Sequence, residues 1–127
     1  MSENAFTPLS AEGLSITPQS SGDVLRVKMT GAVEMRDPGE LLNPYWTGID
    51  DAARAQSLKR VEVDLRDVNF MNSSGILTLV RWITKAKAHN AYTMTLQYDR
   101  NVTWQRTSIP TLAKLAPQIV VPAEVNG

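Results

Sequence analysis

Cysteine is absent from this 127-residue chain, and histidine occurs once. The lack of cysteine excludes a disulfide framework, thiol catalysis and a cysteine-ligated metal. Thirteen basic and thirteen acidic residues cancel, so the composition does not indicate the basic patch that a nucleic-acid or acidic-membrane surface needs. No apolar run approaches the ~20 residues of a membrane span. We therefore expect no cofactor, no metal, and no nucleic-acid or membrane contact.

The first ten residues, MSENAFTPLS, lack a basic segment followed by an apolar one. We therefore expect no signal peptide and a cytoplasmic protein. The chain has the length of one domain, and 43% hydrophobic residues suffice for a core. We predict a flexible lead-in over residues 1–13, one domain over 14–122 and a tail over 123–127.

The centre of the chain, residues 61–89, has the pattern of a strand followed by a helix. Apolar and acidic side chains alternate over 61–65, which is typical of a half-buried strand. A short turn is predicted over 66–71. The Asn72-Ser73-Ser74-Gly75 segment then precedes an amphipathic run, where Asn and Ser are common N-cap residues. Two serines are thus predicted at a strand-to-helix junction.

The predicted helix has two different faces. Its apolar stripe should lie on the sheet and comprises Ile76, Leu79, Val80, Ile83 and Ala86. The opposite face, predicted to be exposed, comprises Ser74, Thr78, Arg81 and Lys85. Ser73 is predicted nearer the edge of the core. The hydroxyl of Ser74 would then face solvent at the positive end of a helix dipole, which favours a phosphate.

The segment Phe70-Met71-Asn72-Ser73-Ser74-Gly75-Ile76 resembles the signature of STAS domains, the anti-sigma factor antagonists of bacteria. Their usual form is a strand, D-S-S-G and a helix, and this chain has Asn72 in place of the Asp. The resemblance implies that the serine before the glycine, Ser74, is phosphorylated by a partner kinase. From the spacing alone, a helix cap without further function is the preferred interpretation of the serine pair, and the resemblance reverses this preference.

A second resemblance is to a smaller STAS-like group of bacterial signalling regulators. It is carried by Asp37-Pro38-Gly39-Glu40, Asn43-Pro44-Tyr45-Trp46, Asn72-Ser73-Ser74 and Tyr98-Asp99. Members of that group are controlled by a kinase and a phosphatase, and some engage diguanylate cyclases. Their modified threonine aligns with Ser73. The two resemblances thus place the switch one residue apart.

The remaining elements complete an α/β pattern. Alternating segments predict strands over 14–18, 23–30, 92–98 and 119–122, and helical spacing predicts helices over 43–57 and 102–116. The resulting order is β-β-α-β-α-β-α-β. One-sided strands joined by helices predict a mixed β-sheet with helices packed on one face, which matches the STAS-like fold. The other face of the sheet would be polar or would form a contact surface such as a dimer interface.

Catalysis is not predicted. A nucleophilic Ser74 needs a nearby base, and His89, fifteen residues along the same helix, would be about 22 Å away. His89 is expected to be a residue at the helix C-terminus that is favoured by the helix dipole. Asp64 and Asp67 could form an acid/base pair or bind magnesium. No phosphate-binding glycine loop accompanies them, so a solvated turn is the preferred interpretation. Trp46 is either an exposed interaction anchor or, preferably, a cover for the sheet edge.

The resemblances together predict a non-enzymatic regulator in a partner-switching pathway. Its partners would be an anti-sigma-type Ser/Thr kinase and a PP2C-type phosphatase, or alternatively a diguanylate cyclase. A structural subunit of a larger complex is a further alternative. Ser74 is the first choice for phosphorylation and Ser73 the second. The predicted partner-binding residues are Phe70, Met71, Asn72, Gly75, Thr78, Arg81, Lys85, Asp99 and Arg100.

Overall fold

A computed structural model describes residues 6–125 of the chain. It contains six strands and three helices in this part: β1 (Leu9–Ala11), β2 (Leu14–Ser21), β3 (Val24–Val33), α1 (Pro38–Ala55), β4 (Arg60–Met71), α2 (Ser73–His89), β5 (Thr93–Tyr98), α3 (Thr103–Ala113) and β6 (Val120–Glu124). The predicted order is confirmed, and β1 is an additional strand ahead of it. No helix in this described part is long and apolar enough to cross a membrane.

The strands form one sheet in chain order, β1 to β6. The pairs β1–β2 and β2–β3 are antiparallel, whereas β3, β4, β5 and β6 run parallel. Each parallel neighbour requires a crossover, and α1, α2 and α3 supply the three crossovers. The apolar side chains of the strands and helices form one core between the sheet and the helical layer. The mixed sheet with helices on one face, predicted from alternation, is confirmed.

The ends of several elements differ from the predictions. Strand β1 lies within the lead-in predicted for residues 1–13, and β6 extends into the tail predicted for 123–127. Residues 1–5 and 126–127 lie outside the described part. Helix α1 begins at Pro38 and passes through Pro44, although a start near Asn43 was predicted. It continues because one face of the whole helix is buried against the core, and this burial offsets the hydrogen bond that Pro44 removes.

The turn predicted over residues 66–71 is wrong, because β4 continues to Met71 alongside β3. The register of this pair shifts twice, between Lys28 and Thr30 and between Gly31 and Ala32. Gly31 has a φ of 105°, and a Cβ there would lie 1.9 Å from the carbonyl oxygen of Gly13. The irregularity therefore requires glycine. Strand β4 continues past it to Met71, and α2 begins two residues later at Ser73.

The outer face of the sheet is polar and carries ion pairs. Lys28 Nζ lies 3.2 Å from Asp64 Oδ2 and 2.8 Å from Asp67 Oδ2, and Arg66 Nε lies 2.9 Å from Asp64 Oδ1. The two aspartates therefore belong to a paired strand and not to the solvated turn that was predicted. No group of three or more His, Cys, Asp or Glu residues in the described part could hold a metal ion.

Asp64→Asn is expected to lower the free energy of unfolding at pH 7 by about 1–2 kcal/mol, discounted because Lys28 and Arg66 are partly exposed. Burial raises the pKa of Asp64, but hydrogen bonds from Arg66 and Lys28 outweigh it and lower the pKa from 3.8 to about 2. A lowered carboxyl pKa stabilises the fold above the unfolded value, and this stabilisation is lost as the pH falls toward 2. Urea denaturation of both proteins should show a difference at pH 7 that narrows at about pH 2.5. An equal difference at both pH values would contradict the assignment.

Candidate functional site

The N-terminus of α2 is organised by Asn72. Its backbone is extended, and its side-chain Oδ1 accepts a hydrogen bond from Gly75 N at 2.8 Å. Its Nδ2 donates to the carbonyl of Met35 at 2.9 Å, and its backbone N donates to the carbonyl of Val33. The predicted cap is confirmed at Asn72. The same side chain ties the start of α2 to the segment that leads from β3 into α1.

Asn72→Asp is expected to lower the free energy of unfolding by about 1 kcal/mol, although Asp is itself a good N-cap. The cap to Gly75 is kept, but the donor to Met35 is lost and a carboxylate oxygen then faces a carbonyl oxygen. Asn72→Ser is the control, since serine keeps the capping oxygen and cannot reach Met35. Urea denaturation at pH 7 measures the free energy of unfolding of both variants. An Asn72→Asp protein as stable as the parent protein would show that the hydrogen bond from Asn72 to Met35 does not stabilise the fold.

Both candidate serines are exposed. Ser74 lines a groove between the starts of α1 and α2, called here the Ser74 groove, with Asp37, Pro38, Gly39, Glu40, Asn43, Leu77, Thr78 and Arg81. Ser73 was predicted nearer the core edge, and this is wrong. Gly75 occupies the inward position instead, where a Cβ would lie 2.8 Å from Val33 Cγ1 and 2.9 Å from Met71 Cγ. Of the two serines, Ser74 lines the Ser74 groove and Ser73 does not.

Three of the predicted partner-binding residues are buried. Met71 lies beneath the start of α2, and Gly75, in the first turn of α2, faces inward against Val33 and Met71. Thr78 is only 2% exposed, donates to the carbonyl of Gly75 at 2.7 Å and accepts from Trp46 Nε1 at 3.1 Å. Its predicted exposure is wrong because α1 packs against that side of α2. Met71 and Gly75 support the site from below, whereas Thr78 is buried but still contributes to the wall of the Ser74 groove.

The other predicted residues lie at the surface or are partly exposed. Phe70 is 45% exposed, and Arg81 and Lys85 are exposed, with Lys85 Nζ donating to Thr47 Oγ1 at 3.1 Å. Asp99 and Arg100 form the turn after β5, and Arg100 Nη1 lies 3.4 Å from Glu124 Oε2. Because β4 and β5 are parallel, this turn and Phe70 both lie at the C-terminal ends of their strands, on the same side of the molecule.

The exposed leucine of the Ser74 groove was missed by the sequence analysis. Leu77 is 45% exposed and lies one turn beyond Ser73 and Ser74. It was not singled out because it lies on neither of the two predicted faces of α2. Its exposure leaves one large apolar side chain at the surface beside the two hydroxyls.

Beneath this surface, α1 and α2 are joined by two tryptophans that the sequence analysis did not connect. The rings of Trp46 and Trp82 are stacked with centroids 4.6 Å apart and an interplanar angle of 14°. Trp46 is buried, so the exposed-anchor alternative is wrong; it lies between α1 and α2, and not over the sheet edge. The stack fixes the separation of the two helices that form the Ser74 groove.

A buried carboxylate completes the junction. Asp50 is 0% exposed, and its Oδ1 accepts from Tyr92 OH at 2.5 Å and lies 2.7 Å from His89 Nε2. His89 Nδ1 accepts from Ala91 N, so Nε2 carries the hydrogen that is donated to Asp50. Burial, with the hydrogen bond to Asp50, raises the pKa of Tyr92. His89 lies in the last turn of α2, as predicted, and it is also a partner of Asp50, at the far end of a continuous helix from Ser74.

Comparisons with known proteins bear on the fold. No protein-family model and no curated protein matches the chain. An anti-sigma factor antagonist from Mycobacterium paratuberculosis is similar over 91% of this chain and 92% of its own, with a TM-score of 0.62 and 20% identity. SiaC, in the crystal structure of the diguanylate cyclase SiaD in complex with its activator SiaC from Pseudomonas aeruginosa, is similar over 98% of both chains, with a TM-score of 0.65 and 14% identity. The six-stranded mixed sheet with three helices on one face is therefore a STAS-like fold, the fold of an anti-sigma factor antagonist and of SiaC.

Proposed function

We propose that this protein is a phosphorylation-controlled protein-binding regulator of the anti-sigma factor antagonist type, acting in a bacterial partner-switching pathway. Unphosphorylated, it binds a Ser/Thr kinase in the cytoplasm and releases that kinase's other client. A PP2C-type phosphatase reverses the modification. The protein itself performs no catalysis in this scheme, and its one histidine, bonded to Asp50 at the opposite end of α2, is too far from Ser74 to act as its base.

The observation that carries the proposal is the exposed serine pair at the N-terminus of α2. Both hydroxyls are accessible, and neither is needed for the helix cap, because Asn72 supplies it. The first turn of α2 contains no acidic residue that would oppose a phosphate from within the helix. A kinase could therefore modify either serine without breaking a contact of the fold.

The proposed partner surface surrounds these hydroxyls. Its members share exposure or partial exposure at one edge of the sheet and along the outer side of α2, and they are Phe70, Asn72, Ser73, Ser74, Leu77, Arg81, Lys85, Asp99 and Arg100. A phosphate on this surface adds nearly two negative charges. At a packed interface those charges must be desolvated or must face like charge, which weakens binding while the fold is unchanged.

The test is to mix the protein with ATP and a Ser/Thr kinase of the anti-sigma factor type from the same bacterium, and to map phosphate by mass spectrometry. We expect phosphate at Ser74, none in Ser74→Ala, and kinase affinity of the phosphorylated protein reduced by about 10-fold or more. Ser73→Ala and Thr84→Ala, both exposed positions on the same helix, are the matched controls. Absence of phosphate from both Ser73 and Ser74 would refute the proposal, and phosphate at Ser73 alone would move the switch by one residue.

A second candidate is direct control of an effector enzyme such as a diguanylate cyclase. It is favoured by the similarity to SiaC, which extends over 98% of both chains. In that case, adding this protein to a purified cyclase would change the rate at which the cyclase forms its product. Affinity capture with this protein would recover the cyclase instead of the kinase. A structural subunit would co-purify with its complex regardless of Ser74→Asp.

A further inference from the structure

The Ser74 groove carries charges of both signs. Asp37 and Glu40, at the start of α1, contribute two carboxylates to its wall, and Arg81 on α2 is the only cation among the residues that line it. Ser74 shares this groove with Arg81, whereas Ser73 does not line it. A group attached to Ser74 would therefore lie in a groove lined by one cation and two anions, whereas Ser73 is not among the lining residues.

Arg81 lies seven residues after Ser74 on the continuous helix α2. Seven residues correspond to about 10.5 Å along the axis and to a rotation of only about 20° around it. Side chains of a helix tilt toward its N-terminus, so the long side chain of Arg81 leans toward Ser74. Thr78, which lies between them in sequence, is turned inward to Trp46. Leu77, which also lies between them, is exposed and lines the same groove.

The guanidinium of Arg81 is also available to bind a phosphate. Among residues 6–125 no carboxylate forms an ion pair with it, and it makes no side-chain hydrogen bond there. Lys85, the next cation on the same side of α2, is already hydrogen-bonded to Thr47. A guanidinium can bind two phosphate oxygens at once, which suits Arg81 better than a lysine to this role.

We infer that Arg81 is the intramolecular counter-ion of a phosphate on Ser74, and that a phosphate on Ser73 does not use it. The inference rests on the proposed function for the existence of the modification. Phosphate on Ser74 then engages the arginine that the unmodified protein offers to its partner. The surface formed by Asp37, Glu40, Arg81 and Lys85 changes from balanced charge to an excess of about two negative charges, so a partner segment with carboxylates opposite Arg81 is rejected.

The test measures the second pKa of phosphoserine by ³¹P nuclear magnetic resonance. Phosphoserine is introduced at position 74 by genetic code expansion, so no kinase is needed. We expect Arg81→Gln to raise this pKa by about half a pH unit, because an exposed cation that favours the dianion has been removed. Asp37→Asn and Glu40→Gln should each lower it, since both carboxylates oppose the dianion. Arg81→Lys should give a pKa between that of the protein with Arg81 and that of Arg81→Gln.

The control compares the protein with Arg81 and its Arg81→Gln variant when phosphoserine is placed at position 73 instead of 74. The helix N-terminus acts on both serines, but Arg81→Gln should leave the pKa at position 73 unchanged. An unchanged pKa at position 74 in Arg81→Gln, or an equal rise at both positions, overturns the inference. The result is separate from the proposed function, because a kinase that modifies neither serine refutes that function and leaves this measurement intact.

Discussion

Trp46→Ala is expected to lower the free energy of unfolding by about 4 kcal/mol, a large part of the stability of a domain this size. Trp46 is 2% exposed and stacks on Trp82, and its Nε1 donates to Thr78 Oγ1. Removing it leaves a cavity between α1 and α2 and removes the stacking partner of Trp82. Equilibrium urea denaturation, followed by circular dichroism, measures the loss.

Trp46→Phe is the matched control for that change. It keeps an aromatic ring against Trp82 and loses the hydrogen bond to Thr78, so the expected cost is about 1–2 kcal/mol. A Trp46→Ala protein within about 1 kcal/mol of the parent would show that the α1–α2 junction does not depend on this stack. The comparison also bears on function, since the two helices form the walls of the Ser74 groove.

Asp50→Ala is expected to lower the free energy of unfolding by about 3 kcal/mol, because two donors lose their acceptor in the interior. Tyr92 OH and His89 Nε2 both bond Asp50 Oδ1, and Trp82 Nε1 donates in turn to Tyr92 OH at 2.9 Å. Arg54 Nε lies 3.4 Å from Oδ2, within ion-pair distance, but Oδ2 has no hydrogen-bond partner. The change therefore breaks a buried network and also removes a partly exposed ion pair.

Asp50→Asn separates these two contributions. Its amide oxygen still accepts from Tyr92 or His89, so the expected loss falls to about 1 kcal/mol, which is the cost of the missing charge. Thermal and urea denaturation of the three proteins at pH 7 give the comparison. Equal losses in Asp50→Ala and Asp50→Asn would mean that the ion pair with Arg54, and not the hydrogen bonds, carries the energy.

The predictions for Trp46 and Asp50 both depend on contacts with distant residues that the local sequence pattern did not reveal. Asp50 lies four residues after Trp46 and three before Ala53, so helical spacing does place it on the buried face of α1. Its partners Tyr92 and His89 are about 40 residues away in sequence, and nothing in the spacing predicts that they converge. A buried carboxylate is stable only because these distant donors meet it.

The surface of α2 illustrates the same limit. Helical periodicity correctly placed Arg81 and Lys85 on the outside and Leu79, Ile83 and Ala86 in the core. It failed at Thr78, because a helical wheel describes one helix and α1 covers that side of α2. The exposure of Ser73 likewise followed from Gly75 occupying the inward position at the close contact with Val33 and Met71.

Local chemistry alone determined much of this protein. Alternation in the strands, the Asn72 cap and the serine pair before Gly75 are properties of adjacent residues, so the α/β order and the strand-to-helix junction could be predicted from the chain. The tertiary structure decided how far β4 extends, which side of α2 lies under α1, and that Ser74, Asp37, Glu40 and Arg81 share one groove. Those features depend on contacts between segments separated by 30 to 40 residues, and a periodic pattern carries no information about such pairings.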